Sequence, residues 1–180
     1  MPTPTVVRRR RAVGLVMVLL ALALIGAVAA RVYIATHLPP TLEQIAAVSS
    51  DESRILELVN RERHKAGLAE LRLSARLAVA ARGHSYDMAL RHYFSHDSAD
   101  GMSAERRVSG SGIDYSEMGE NIYVEDFPDD RRMAERAIQG WLSSPGHRRN
   151  MLSAQFTETG VGIARAADGS TYVTQDFIRK

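Results

Sequence analysis

The side chains able to do chemistry in this chain are histidines, carboxylates and serines, because its 180 residues include six histidines and no cysteine. Thiol nucleophiles, thiolate metal ligands and redox switching are thereby excluded. The sequence has no Gly-x-Ser-x-Gly elbow and no His-Glu-x-x-His helix, so neither hydrolase signature applies. Ser144 and His147 stand close enough in sequence to mimic a nucleophile and its base. Ser144 reads better as a helix cap, with Pro145 in the first turn, and no orienting acid accompanies the pair. His96, Glu120 and His147 supply two imidazoles and one carboxylate, a donor set that suits zinc and leaves a fourth position for water. They lie 24 and 27 residues apart, so only a fold could bring them together.

The same residues have plain structural readings. Gly119 before Glu120 and Asn121 after it read as a tight backbone turn, in which the carboxylate accepts backbone hydrogen bonds. His147 sits near the start of a short helix, within reach of a loop or of Glu120, and Asn150 follows one turn on. His84 shares a helical stripe with Leu77, Ala81 and Met88, the pattern of a buried, hydrogen-bonded histidine. His64 and His92 have no constellation around them and read as surface residues, while Trp141 reads as a core anchor. Glu125, Asp126, Asp129 and Asp130 lack the spacing of a calcium loop and read as a solvated loop.

The elements that must position these groups follow from pattern. A helix from about Asp51 carries Ile55, Leu58 and Val59 on one stripe and stops at Gly67. A second starts after Ser74, a helical turn fits Ser103 to Val108, and a third helix fits Arg131 to Leu142. Another short helix begins at Ser144-Pro145. From His96 to Asn121 the chain is polar and glycine-bearing, and Ile122 to Val124 form a short strand. Thr159–Ala166 and Thr171–Ile178 make a terminal hairpin about Ala167-Asp168-Gly169-Ser170. Helices first and a paired-strand end give an α+β layered architecture.

Charge divides the chain. Residues 1–50 carry five arginines and one glutamate, a net of +4, which leaves residues 51–180 with 18 basic and 20 acidic side chains, a net of −2. A nucleic-acid binder concentrates positive charge on its folded domain, so no nucleic-acid partner is expected. Residues 1–11 end in four arginines, and residues 12–30 are uncharged. As a helix those nineteen residues would span about 28 Å, the thickness of a bilayer core. The charge bias puts the N-terminus inside and the domain outside. A single-pass signal-anchor in the cell membrane is expected; the alternative is secretion after cleavage near Ala29. Residues 31–50 form the stalk and residues 51–180 the domain.

A family resemblance appears in blocks spread over residues 51–180. Asn60-Arg61 with Gly67-Leu68, His84-Ser85-Tyr86-Asp87-Met88, Tyr93-Phe94-Ser95-His96 and Gly119-Glu120-Asn121-Ile122 come first. Trp141 to Leu152, Gly160-Val161-Gly162 and Tyr172 to Phe177 follow. Together they resemble the bacterial members of the CAP superfamily, the SCP-like extracellular domain of cysteine-rich secretory, antigen 5 and pathogenesis-related 1 proteins. The resemblance implies an α–β–α sandwich with a central antiparallel sheet. It also implies a cleft of two histidines and two acids, carried here by His96, Glu120 and His147, with Ser144 where animal and plant members have the second acid. His84, Trp141, Ser144 and Asn150 are its expected structural support.

Three functions compete on these grounds. The first is a non-enzymatic extracytoplasmic binding module for a lipid, a cell-envelope component or a partner protein, with a cleft that takes a divalent metal, zinc by its donors. The second is a metal-dependent hydrolase of envelope peptides or glycans that uses the same three residues. The third is a membrane-anchored structural or regulatory protein.

Overall fold

The computed structural model describes residues 49–126 and 132–180. The expected membrane span at residues 12–30, the stalk up to residue 48, and Asp129 and Asp130 lie outside them. Among the described residues no helix is long and apolar enough to cross a membrane.

Helix α1, Ser50–Lys65, begins one residue earlier than its pattern indicates because Ser49 and Glu52 form a capping box. The Ser49 hydroxyl accepts from the Glu52 amide (3.2 Å), and the Glu52 carboxylate accepts from the Ser49 amide (2.8 Å), which satisfies two orphan donors at once. Beyond the helix, Gly67 takes φ 71°, a left-handed conformation that glycine adopts without cost. Helix α2, Ala75–Arg91, is capped by Ser74 as expected, and α3, Ala104–Gly110, by Ser103. Helix α4 is Met133–Ser143 and α5 is Pro145–Met151. Ser144 precedes α5 in an extended conformation, but its side chain makes no capping bond. Proline at the first turn, not the serine hydroxyl, starts that helix.

The strands are β1 (Arg72–Leu73), β2 (Glu117–Glu125), β3 (Glu158–Arg165) and β4 (Thr171–Arg179). They form one sheet in the order β1-β3-β4-β2. The sheet is mixed, which corrects the antiparallel expectation: β1 runs parallel to β3, and the other pairs are antiparallel. Two residues are too few to leave a periodicity, so β1 has no sequence signal. Strand β2 is also longer than Ile122 to Val124. Its polar, glycine-bearing first half reads as loop in isolation, yet it pairs with β4 over its whole length.

Side-chain alternation on the strands sends residues to two helical layers. On one face Val161, Val173 and Phe177 pack with Ile55 and Val59 of α1, with Ala137, Ile138 and Trp141 of α4 and with Met151 of α5. On the other, Ile178 packs with Leu77 of α2 and Val108 of α3, and Ile122 and Tyr172 pack with Met88. This is the expected α–β–α layering. Gly160 and Gly162 lie on the α2 side, where a Cβ would run into the backbone of Leu77–Ala78 and Ala81–Arg82. The pair of glycines therefore lets α2 lie directly on β3, and Ser85 Oγ bonds the Gly162 carbonyl at 3.0 Å.

Candidate functional site

Strand β2 is one of the two outer strands of the sheet, and its successive side chains face the two helical layers. Glu120 and Asn121 are consecutive, so they point to opposite faces. Glu120 faces α3 and the loop after α2: His96 Nδ1 donates to its Oε1 at 2.8 Å, and Arg107 Nη2 to its Oε2 at 2.5 Å. Asn121 faces α5: its Nδ2 donates to the His147 carbonyl at 3.1 Å. One histidine thus arrives from each layer, and the two rings stand 6.1 Å apart, centre to centre. The structure joins His96, Glu120 and His147 across more than fifty residues of sequence.

Glu120 is not in a turn, as its glycine and asparagine neighbours imply, but in mid-strand, and its carboxylate accepts from side chains. Its side chain is only 4% exposed, whereas that of His96 is 52% exposed. The carboxylate is buried and the imidazole beside it is accessible. The backbone of the same strand is covered from outside. The Glu120 carbonyl accepts from Asn150 Nδ2 (3.0 Å) and the Ile122 carbonyl from Trp141 Nε1 (2.9 Å). Those bonds give Asn150 and Trp141 their supporting role and blunt an open strand edge. A Cβ at Gly119 would meet Asn150 and Phe156, so glycine there makes room for the asparagine.

Arg107 is the residue that pattern reading missed. Its guanidinium also donates to the His96 carbonyl (2.9 Å), Ser98 Oγ (3.2 Å) and the Met102 carbonyl (3.0 Å). It clamps the loop that carries His96 onto Glu120, and that loop turns Phe94 and Met102 outward to solvent. Asp176 of β4 was missed too. It pairs in register with Glu120, is 3% exposed, and its Oδ1 has no hydrogen-bond partner. Burial, then the Glu120 charge beside it, pushes its carboxyl well above the usual carboxylate range. Both effects oppose ionisation, as expected for a buried carboxyl without a donor.

The histidines differ in their surroundings. The Glu120 hydrogen bond raises His96 above the ordinary imidazole value, and burial, then the neighbouring His96 charge, lowers His147. His84 is buried as its stripe indicates. Its Nε2 donates to the Ser95 carbonyl at 2.9 Å, its Nδ1 has no partner, and burial lowers its pKa. The carbonyl fixes the neutral Nε2–H tautomer, so His84 holds the Ser95-His96 loop from beneath. His64 and His92 are exposed, as expected. Glu125, expected in a solvated loop, is buried: Arg136 binds both its oxygens (2.8 and 2.6 Å) and Tyr123 Oη one (2.9 Å).

Among the described residues no three His, Asp or Glu side chains are grouped to hold a metal ion. The donor chemistry offers two imidazoles with a carboxylate behind one of them. A neutral His96 that donates through Nδ1 keeps its Nε2 lone pair for a ligand, the arrangement in which a carboxylate orients a metal-binding histidine. The His147 ring makes no hydrogen bond within the described residues. A depression of about 710 Å³ lined by Arg76, Ile113, Asp114, Tyr115 and Lys180 contains none of these groups, so size alone does not mark the site.

The sequence profile of the cysteine-rich secretory protein family, CAP, matches residues 56–177. The chain belongs to the CAP family. This CAP domain is 37% identical over 135 residues to the uncharacterized protein YkwD of Bacillus subtilis, a match that covers 75% of the chain and 49% of YkwD. It is 38% identical over 135 residues to the uncharacterized membrane protein YlbC of the same organism, covering 73% of the chain and 35% of YlbC. Among solved structures it is similar to an extracellular SCP-domain protein of Bacillus anthracis, with 35% identity and a TM-score of 0.64, over 79% of this chain and 45% of that one. The chain thus spans less than half the length of these relatives. Its fold is of an extracellular type that bacteria use.

Proposed function

We propose that this chain is an extracytoplasmic binding module of the bacterial envelope, tethered to the cytoplasmic membrane through residues 12–30 with its CAP domain outside. Its cleft between His96 and His147 takes a divalent metal, zinc by donor type, and binds an envelope component there. The observation that carries this reading is the commitment of Glu120. One of its oxygens accepts from His96 and the other from Arg107, and the side chain is 4% exposed, so it orients a ligand-binding imidazole and is shielded from a substrate proton. The family's second acid is replaced by Ser144, which removes the opposing acid–base partner a hydrolase would use. Phe94 and Met102, exposed on the His96 loop, add apolar surface beside the cleft, as recognition sites commonly do.

His96 and His147 would hold the ion through their imidazoles, and a bound zinc would supply Lewis acidity toward a carboxylate or carbonyl oxygen. Calorimetric titration of the full chain in detergent with zinc tests the reading. It should give saturable binding near one equivalent, and His96→Ala and His147→Ala should each abolish it. Unchanged binding in either variant refutes the shared site.

A further inference from the structure

The two peptide groups that flank the Cα of His96 are each pinned by a side chain from a helix. His84 of α2 bonds the Ser95 carbonyl at 2.9 Å on one side, and Arg107 of α3 donates to the His96 carbonyl at 2.9 Å on the other. With both flanking peptide planes fixed, the φ and ψ of His96 are fixed too, and with them the direction in which its side chain leaves the loop. Of the two anchors, Arg107 does the more.

Arg107 Nη1 carries two hydrogens, yet three oxygens lie within hydrogen-bonding distance of it. They are the His96 carbonyl, Ser98 Oγ (3.2 Å) and the Met102 carbonyl (3.0 Å), while Nη2 donates to Glu120 Oε2. Three acceptors on two hydrogens are held as much by the guanidinium charge as by directed bonds. Two carbonyls, a hydroxyl and a carboxylate are the hard oxygen donors with which loops encircle a metal cation. Here the chain's own guanidinium stands in their midst. The loop closes around it: the Met102 carbonyl also accepts from the Ser98 amide (2.9 Å), and the Gly101 amide donates to the Ser98 carbonyl (2.8 Å). Gly101 makes that closure at φ 81°, a conformation suited to glycine. The Arg107 side chain is 12% exposed, so solvent and salt screen its charge little. These four bonds go to the loop and to Glu120, and none to an imidazole.

We infer that Arg107 is the positioning residue of the cleft: it takes the place of a loop-ordering cation, and by fixing the main chain at His96 it sets how tightly the paired histidines hold a metal. The metal half of this inference rests on the proposed function. The positioning half can be read with no metal present.

The test uses the full chain in detergent, with two variants whose folding is checked by the fluorescence of Trp141. Arg107→Ala vacates the place of the guanidinium. Arg107→Lys keeps a charge, but its single nitrogen cannot serve the loop oxygens and Glu120 together. Calorimetry should show zinc binding weakened about tenfold in both, the scale of losing a group that orients a metal ligand. Guanidinium ion at millimolar concentration, well below unfolding levels, should return Arg107→Ala toward the parent affinity, and sodium chloride at equal ionic strength should not. In the metal-free protein, the His96 Nδ1 proton held by Glu120 should exchange with water faster in both variants than in the parent. If Arg107→Ala does not fold, Arg107→Lys decides by affinity and proton exchange. A lower melting temperature with parent-like zinc affinity and a parent-like His96 proton would make Arg107 a structural residue only and overturn the inference. A folded Arg107→Ala that guanidinium fails to rescue would overturn its cation-like role. Should the parent itself take up no zinc, the metal reading falls and the metal-free exchange alone decides the positioning, an unaltered His96 proton in the variants refuting it.

Discussion

Replacing Glu120 by glutamine separates a carboxylate that builds the cleft from one that only does chemistry in it. The side chain is 4% exposed and its Arg107 partner 12%, so the pair is buried and solvent screens it little. Removing one member of such a pair costs about 3–5 kcal/mol, because the other charge is left without compensation. The amide oxygen can still accept from Arg107, and the change removes a negative charge next to Asp176. These offsets bring the expected loss to about 3 kcal/mol. Urea unfolding of the full chain, followed by fluorescence of Trp141, the single tryptophan, measures it. With a urea slope of about 2 kcal/mol/M the midpoint should fall by roughly 1.5 M. If the cost is the stranded guanidinium, adding Arg107→Met to Glu120→Gln should cost much less than the sum of the two single changes. A midpoint that moves by less than the equivalent of about 0.5 kcal/mol, the range of an ordinary surface change, refutes the role given to Glu120.

Gly162→Ala should lower stability by about 3 kcal/mol or more, since its Cβ would collide with the α2 backbone at Ala81–Arg82 and neither element can shift without unpacking the other; thermal unfolding measures it, and a variant as stable as the parent would contradict the close packing. Burial lowers the pKa of His84, so the unfolded chain takes up a proton there before the folded one does. The stability this contributes is fully present above about pH 6.5 and is lost as pH falls from there toward the depressed folded value. Compared with His84→Gln, whose amide can still donate to the Ser95 carbonyl, the parent should lose up to about 1.4 kcal/mol per pH unit in that window, and parallel pH profiles of the two proteins would be the contrary result.

Much of this architecture is legible in the sequence because local chemistry dictates it. Ser74 and Ser103 cap their helices, the 77–81–84–88 stripe goes inward, and the hairpin turns at Asp168-Gly169, where Gly169 takes φ 95°. Family blocks carry the three cleft residues, which no periodicity links. What pattern alone hides is tertiary. Glu117 to Asn121 look like a loop because a strand's polar half shows its character only beside its partner, β4. Arg107 looks like any arginine on a short helix until Glu120 and the His96 loop are brought to it. Two signals were present. Asp176 interrupts a strand running from Tyr172 to Ile178 in which every residue is buried, and a carboxylate in such a run needs a special environment. Arg63 continues the Ile55–Val59 stripe of α1, and it is buried there, with Nε donating to the Ala69 carbonyl and Nη1 to those of Met151 and Ser153, each at 2.8 Å.

His96 and His147, delivered by opposite layers across β2, are proposed to act as one ligand site. That joint action is tested most directly by following the imidazole nitrogen resonances of the full chain in detergent as zinc is added at pH 7.5. One nitrogen of His96, the Nε2 left free by Glu120, and one of His147 should shift together with a single midpoint near one equivalent, while His64, His84 and His92 stay in place. Separate midpoints for the two rings, or a response confined to the exposed His64 and His92, would contradict it.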